Sequence, residues 1–257
     1  QAEIAGNYNV RKPLPETFKN CDYAVVFGGD GSIIKAAREL ANSQVPVIGV
    51  NLGKLGFLAE FNVSELTNYF DNIVKGKVTI EKRMMLSCFI ERENKKIFTS
   101  TAVNDIFINA GLPYRMVELQ IRVNGQSLAG CVSDGLIIAT PTGSTAYNLS
   151  AGGPILAGKM KAIIINPICP HSLNFRPIVI DPDSKIDIFG LKLNRGTTLS
   201  VDGQISHKVT PKDTITVETH KNKFLIVNNP ARTHWDTLAE KLQWAKTPHY
   251  KNTQKNL

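Results

Sequence analysis

An α/β unit followed by a larger unit built mostly of β-strands is the architecture this sequence predicts. Three observations predict it. A short apolar run, Tyr23 to Phe27, meets a glycine turn and then a helical period; after Lys77 the apolar period becomes that of strands; and a helical period returns only after Thr233. The 257 residues, 42% of them hydrophobic, suffice for one large domain or two small ones with substantial cores.

The elements follow in order. Past Gly28 to Gly31, residues Ile33, Ala36, Ala37, Leu40 and Ala41 recur at helical spacing, with Ser32 placed as N-cap. Val45 to Val50 reads as a second strand. Leu66, Tyr69, Phe70 and Ile73 form a further helical face, opened by Ser64 and closed by Gly76. Strands are then expected over Val78 to Glu91, Lys96 to Ile108 and Met116 to Val123, where Asn124-Gly125 signals a hairpin, and over Leu136 to Thr140. After the Gly-rich segment come Ala162 to Ile165, Ile178 to Ile180, Lys185 to Leu191, Thr198 to His207 and Phe224 to Val227. The last helix shows Trp235, Leu238, Ala239 and Leu242 on one face. These textures divide the chain into segments 1–77, 78–232 and 233–257, with no internal repeat.

Lys and Arg number 30 against 22 Asp and Glu, a net charge of +8 that suits phosphate-bearing partners. The lysines are spread out and gather only near the end (Lys241, Lys246, Lys251, Lys255), a solvated face or tail, so small anions are expected and nucleic acid is not. The four cysteines have no C-x-x-C spacing. Cys88, Cys131 and Cys169 sit in apolar runs and read as buried free thiols of a reducing cytoplasm. No stretch approaches the roughly 18 apolar residues of a membrane span.

The stretch VVFGGDGSII, residues 25–34, carries the first chemistry. A glycine turn between a buried strand and a helix points backbone N–H groups outward at the positive helix end, which attracts phosphate. An aspartate there repels phosphate. The conflict is resolved if Asp30 binds a metal that accompanies the phosphates, or accepts a proton from a hydroxyl attacking one of them; the alternative is that Asp-Gly is here simply turn chemistry. Two familiar templates do not fit: GVNLGKL lacks the spacing and hydroxyl of a P-loop, and Ile34 stands where a dinucleotide fingerprint has its third glycine. The second stretch, SDGLIIATPTGSTAYNLSAGGPI at 133–155, sets Thr142, Ser144, Thr145, Tyr147 and Ser150 among glycines. Such hydroxyls and bare N–H groups suit a sugar or phosphate, and Tyr147 a base or ribose.

GGDGS, NLGKLGF at 51–57, Asn104-Asp105, the 134–155 stretch, NPICPHSLNFRP at 166–177 and VDGQ at 201–204 together resemble the NAD kinases, most closely the bacterial type. The ordered series is far more specific than GGDG, which lipid and sugar kinases share. The resemblance implies a Rossmann-like α/β domain, a larger β-rich, sandwich-like domain, a last helix that returns to the first, and ATP-dependent phosphorylation of the adenosine ribose 2′-hydroxyl of NAD. It implies Asp30 as general base. Gly28, Gly29, Gly31, Ser32 and Lys35 would serve the donor phosphates, with Mg²⁺ held mainly by those phosphates and no protein metal cage. Asn51, Phe57, Asn104, Asp105, Arg115, Asp134, Ser144, Thr145, Ala146, Tyr147, Ser150 and Gln204 would serve NAD. A homodimer or homotetramer, without membrane or nucleic acid, is implied too. Two departures stand out: Asp105 where the family commonly has Glu, and Val132 where relatives often carry a basic residue. Members also begin with a further strand and helix, so the first domain is expected to be incomplete. The rivals are a GGDG-type lipid or sugar kinase, expected to lack TPTGSTAY, and a non-catalytic nucleotide-binding module.

Overall fold

The computed structural model describes residues 21–53 and 56–243. Lys54 and Leu55 of NLGKLGF, the first twenty residues, and the tail with Lys246, Lys251 and Lys255 lie outside the described residues.

The first layer is a four-stranded sheet flanked by two helices. Its strands β1 (Ala24–Phe27) and β2 (Val47–Val50) run parallel and are joined through α1 (Asp30–Leu40). Alternation along β2 sends Val47 to one face, against Ile33, Ala37 and Leu40 of α1, and Ile48 and Val50 to the other, against Phe61 and Ile73. Ile73 belongs to α2 (Val63–Val74), so the two helices cover opposite faces. Ser64 does not open α2. Asn62 does, accepting from the Glu65 N–H at 2.8 Å while Glu65 accepts from the Asn62 N–H at 2.9 Å. Gly76 closes it with φ +66°, its N–H donating to Ile73 O and that of Lys77 to Asn72 O.

The four-stranded sheet takes its other two strands from far along the chain. β3 (Ile80–Arg83) pairs with the last strand, β16 (Phe224–Val227), which lies beside β2. The change of texture at Gly76 to Val78 is therefore not a change of sheet. The expected single strand from Val78 to Glu91 breaks into β3 and β4 (Leu86–Arg92), and Lys96 to Ile108 into β5 (Lys95–Ala102) and β6 (Asp105–Asn109).

The rest forms two antiparallel sheets. One holds β6, β9 (Gly135–Ala139), β10 (Ile163–Ile168), β11 (Ile178–Ile180), β13 (Thr198–Val201) and β14 (Ile205–Lys208). The other holds β4, β5, β7 (Val117–Val123), β8 (Gln126–Ser133), β12 (Ile186–Lys192) and β15 (Asp213–Thr219). A single apolar core joins them: Ile106, Ile138 and Ile163 from the first meet Leu119, Ile188 and Ile215 from the second. β15 has no counterpart among the expected strands, although Ile215 and Val217 alternate with polar residues as in a half-buried strand. Asn124 and Gly125 both have positive φ, the hairpin geometry their dipeptide signals. Cys88 and Cys131 are buried, and burial pushes the Cys88 thiol up to about 12. Cys169 is exposed, contrary to expectation, because β10 ends at Ile168 and the chain turns outward there.

The last described helix, α4 (His234–Leu242), starts at a Thr233–Asp236 capping box. Only Leu238 of its expected apolar face is buried, and Trp235 stands 64% exposed. The segment before α4 does return to the first layer: Arg232 pairs with Glu65 of α2 at 2.7 Å, and the Asn229 N–H donates to Glu60.

Candidate functional site

β1 ends at Phe27, and Gly28 turns the chain at φ +152°; a Cβ there would meet Ser32 Oγ at 2.8 Å. The Gly28 N–H donates to Val50 O at 2.9 Å and so belongs to the sheet. Gly29, not Ser32, is the helix N-cap, and α1 starts at Asp30 itself; the Ser32 N–H already bonds back to Gly29 O. Glycine does this without a capping side chain, which leaves the first N–H groups of α1 open toward the turn.

Asp30, at the positive end of α1, accepts three backbone hydrogen bonds from a segment 27 to 29 residues away. The Phe57 N–H lies 2.8 Å from Oδ2, and those of Leu58 and Ala59 lie 3.0 and 3.2 Å from Oδ1. Gly56 of NLGKLGF is needed for this approach: a Cβ there would overlap the Asp30 carboxylate. Within the same stretch, Asn51 is buried and its side-chain oxygen accepts from the Gly53 N–H, which shapes the turn. Phe57 also borders a cavity of about 370 Å³ lined by Glu60, Arg83, Lys159, His234 and Trp235. Three buried polar atoms of its lining residues, His234 Nε2, Asn228 Oδ1 and Arg232 Nε, have no partner among the described residues. Lys35 sits one helical turn from Glu39 and pairs with it at 3.8 Å.

Of the residues expected to serve NAD, Asn104, Asp105 and Gln204 lie where three neighbouring strands end together. In the order β9–β6–β13, Asp105 is level with Ala139 on one side, and Ile106 is level with Val201 on the other. Asn104-Asp105 thus lies between the loop that leaves β9 and the Asp202-Gly203 turn that leaves β13. Asp202, with φ +50°, accepts from the Val103, Asn104 and Asp105 N–H groups at 3.1, 2.7 and 3.1 Å. Arg38 of α1 donates to it at 2.7 Å. Gln204 accepts from Arg38 at 2.6 Å and donates to Gly31 O at 2.8 Å.

Asp105 is 3% exposed. Burial first, and next the charge of Asp202, push its carboxyl up to about 7; an N–H from Tyr147 pulls the other way.

The loop after β9 is built on its own side chains. Thr140 donates to Val103 O and accepts from the Gly143 N–H. Ser144 is fully buried; its hydroxyl donates to Leu156 O at 3.1 Å and accepts from the Leu156 N–H at 2.7 Å, so it ties the loop together. Asn148, also buried, donates to Ser144 O and Pro154 O and accepts from Asn166 on β10. Side chains at Gly143 or Gly153 would overlap Asn104 or Asn148. Thr145 and Ala146 are half-buried, and Ser150 is exposed.

Tyr147, 38% exposed, packs edge-on against Phe107 of β6 with ring centroids 5.0 Å apart. Burial raises its phenol pKa, followed by the charges of Cys169, Asp105 and Asp134. Asp134 sits level with the far end of β6, its carbonyl accepting from the Ala110 N–H. Arg115 is exposed on the loop past that same far end, where its carbonyl accepts from Asn194. The fold thus sets Tyr147 against the middle of β6, with Asp105 at one end of that strand and Asp134 and then Arg115 past the other.

Four residues central to this geometry were not legible as such: Arg38, Asp202, Asn148 and Asn166. The VDGQ stretch held a signal for Asp202, since an Asp-Gly turn beside a strand end is a place for a carboxylate to collect N–H groups. No local pattern marks Arg38.

Comparison with known proteins identifies the family. Family models for the ATP-NAD kinase N-terminal and C-terminal domains match residues 5–78 and 103–229. An NAD kinase of Magnetococcus marinus is 39% identical over 246 residues, 96% of this chain and 81% of that protein. One of Desulforamulus reducens is 41% identical over 225 residues, 87% of this chain and 77% of that one. Among solved structures, yeast NADH kinase complexed with NADH superposes with a TM-score of 0.84 at 32% identity, covering 92% of this chain and 70% of that one. An NAD kinase from Archaeoglobus fulgidus in complex with ATP gives 0.75 at 26% identity, covering 88% and 84%. Two family models that together match most of the chain, and relatives alike over most of their length, establish that the chain belongs to the ATP-NAD kinase family.

Proposed function

We propose that Asp30 is the general base in the conversion of NAD to NADP by this enzyme, which uses ATP as phosphoryl donor. The observation that carries the proposal is the Asp30 carboxylate at the start of α1, aimed by three N–H groups and free of any basic side-chain partner among the described residues. A ribose hydroxyl is a weak nucleophile at neutral pH. A positioned carboxylate that takes its proton contributes roughly 10² to 10⁴ in rate.

The open N–H groups of Gly29 and Gly31 suit the donor phosphates, with the Ser32 hydroxyl close by. Asn104, Asp105 and Tyr147 suit the adenosine half of NAD: a carboxylate accepts from vicinal hydroxyls, an amide both donates and accepts, and an aromatic ring covers a planar base. Asp134, Thr145, Ala146 and Ser150 would complete that side. Ser144, Asn51 and Gln204 act from behind, since their polar atoms hold backbone or Arg38. The cavity beyond Phe57 has room and unfilled polar atoms for a further part of a nucleotide.

No group of three or more His, Cys, Asp or Glu that could hold a metal occurs among the described residues. Asp30 already accepts three N–H bonds and has one lone pair to spare. That donor set fits Mg²⁺ bound chiefly through phosphate and water, where it would supply charge neutralisation of the donor phosphates. We further propose a cytoplasmic homo-oligomer joined through the β-rich sheets, whose outer strands β5, β8, β11 and β14 have an unpaired edge. No helix among the described residues is long and apolar enough to cross a membrane.

Incubating the full chain with NAD, ATP and Mg²⁺ and assaying NADP tests the reading. NADP formation supports it. NAD binding without transfer from ATP or polyphosphate would make the chain a binding module instead.

A further inference from the structure

We infer that Arg38 is a positioning residue for phosphoryl transfer: through Asp202 and Gln204 it fixes the helix that carries Asp30 against the strand end that carries Asn104 and Asp105. The inference rests on the assignment of Asp30 and Asp105 above.

The contacts form a closed frame. One arm of the Arg38 guanidinium, Nη1, donates to Asp202 Oδ2 at 2.7 Å, and the other, Nη2, to Gln204 Oε1 at 2.6 Å. The same Asp202 carboxylate gathers the N–H groups of 103, 104 and 105. Gln204 completes the frame by donating to Gly31 O at 2.8 Å. The Asp202 side chain is 0% exposed and that of Arg38 9%, so water competes little for the Arg38–Asp202 pair, while the two bonds of Gln204 lie at the surface.

Two features make this more than a tie between layers. Gly31 and Arg38 are seven residues apart, on one face of α1, and both are held by the same three-residue turn. One contact would leave the helix free to rotate about it; two, made by residues whose backbones lie about 10 Å apart along the axis, restrain its rotation as well as its distance. Rotation of α1 is what would swing Asp30, its first residue, relative to Asn104 and Asp105. Arginine is also the side chain this frame requires, because a planar fork serves two acceptors on different residues at once, whereas a lysine serves one firmly. The turn does not need Arg38 to form: Asp202 and Gly203 have the positive φ values that Asp-Gly adopts unaided, and Asp202 keeps three N–H donors without it.

The test uses the full chain with Arg38→Gln and Arg38→Lys. Three quantities are measured: kcat and KM for both substrates, the thermal melt, and hydrogen exchange of the 103–105 amides. The expected result for Arg38→Gln is a kcat lower by roughly 10- to 100-fold, the scale of an ångström-sized misplacement of a base, with KM for ATP little changed. Arg38→Lys should recover part of the loss, since it keeps the charge opposite Asp202 while giving up Gln204. Exchange at 103–105 should quicken in Arg38→Gln while the protein stays folded. Unchanged kcat in Arg38→Gln, a loss that only follows the unfolded fraction, or unchanged exchange at 103–105 would each overturn the inference. Should the unmodified chain make no NADP, the functional reading fails by itself, and the exchange measurement still decides whether Arg38 orders this segment.

Discussion

The glycine turn at 28–31 and the loop at 140–156 have the same composition, small polar residues among glycines, and the structure uses them in opposite ways. In the turn, the one charged side chain, Asp30, is met by backbone N–H groups of another segment, and its glycines leave helix-end N–H groups open. In the loop, the polar side chains Thr140, Ser144 and Asn148 are consumed by the loop's own backbone and Asn166. The glycines differ likewise. Gly143 and Gly153 are there because a side chain would collide with Asn104 and Asn148. A Gly-rich polar segment is thus either a cleared surface or a densely packed plug, and only the partners of its polar atoms tell which.

Four changes would break or sharpen this contrast. The largest effect is expected at Asp30. Asp30→Asn keeps the size but removes the proton acceptor, so NAD should still bind while turnover falls by roughly 10² to 10⁴, about 2.7 to 5.5 kcal/mol in the barrier. Turnover measured across a magnesium titration checks it. Recovery at high metal would make Asp30 a metal ligand, and near-normal turnover would reduce it to a turn residue and erase the contrast.

Asp105 comes next, as a charged group set among the consumed ones. Its folded pKa, about 7, lies above the 3.8 of an unperturbed Asp. Below pH 4 both states hold the proton; as pH rises from about 4 to 7 the unfolded state releases it first, so stability falls over that window and then levels off. Asp105→Asn removes this loss, because the neutral amide still accepts from Tyr147 and can donate toward Asp202. It should raise stability by on the order of 3 kcal/mol at pH 8 and by little near pH 4, while weakening NAD binding. Urea denaturation at several pH values decides, and a gain independent of pH would refute the assignment.

A smaller loss is expected at Asn148. Asn148→Ala removes the side-chain donors to Ser144 O and Pro154 O and one of the acceptors of the Asn166 amide, and should cost about 2 kcal/mol of stability by denaturant melt. Were the loop an open surface like the turn, the cost would be near zero. The mildest is Tyr147→Ala, which gives up a ring packed against Phe107. NAD affinity by calorimetry should weaken about tenfold, or 1.4 kcal/mol. Unchanged NAD affinity with collapsed ATP affinity would move this loop to the donor side.

Much of the fold was legible because its signals are local. Asn124-Gly125 makes a hairpin because those two residues tolerate positive φ, and Gly76 ends α2 for the same reason. The caps were harder: Asn62 and Gly29 displaced Ser64 and Ser32, since any of several small polar residues within one turn can start a helix, and which one does depends on how the chain enters. The residue types of the site were legible as well, because a carboxylate in a glycine turn conflicts with what the turn attracts and so asks for a chemical reason.

The sequence by itself determined the succession of strand, turn and helix, and the chemistry offered by GGDGS, Asn104-Asp105 and the 142–150 hydroxyls. All of these rest on energies between residues within a few positions of one another. The tertiary structure alone decided that β3 and β16 complete the first sheet, and that Arg38 meets Asp202 across 164 positions. It also decided that Ser144 faces inward and that burial carries the Asp105 carboxyl to about 7. The reason is physical: a side chain's partner, its distance from water and its proton affinity depend on which distant segments pack around it, and no spacing along the chain contains that.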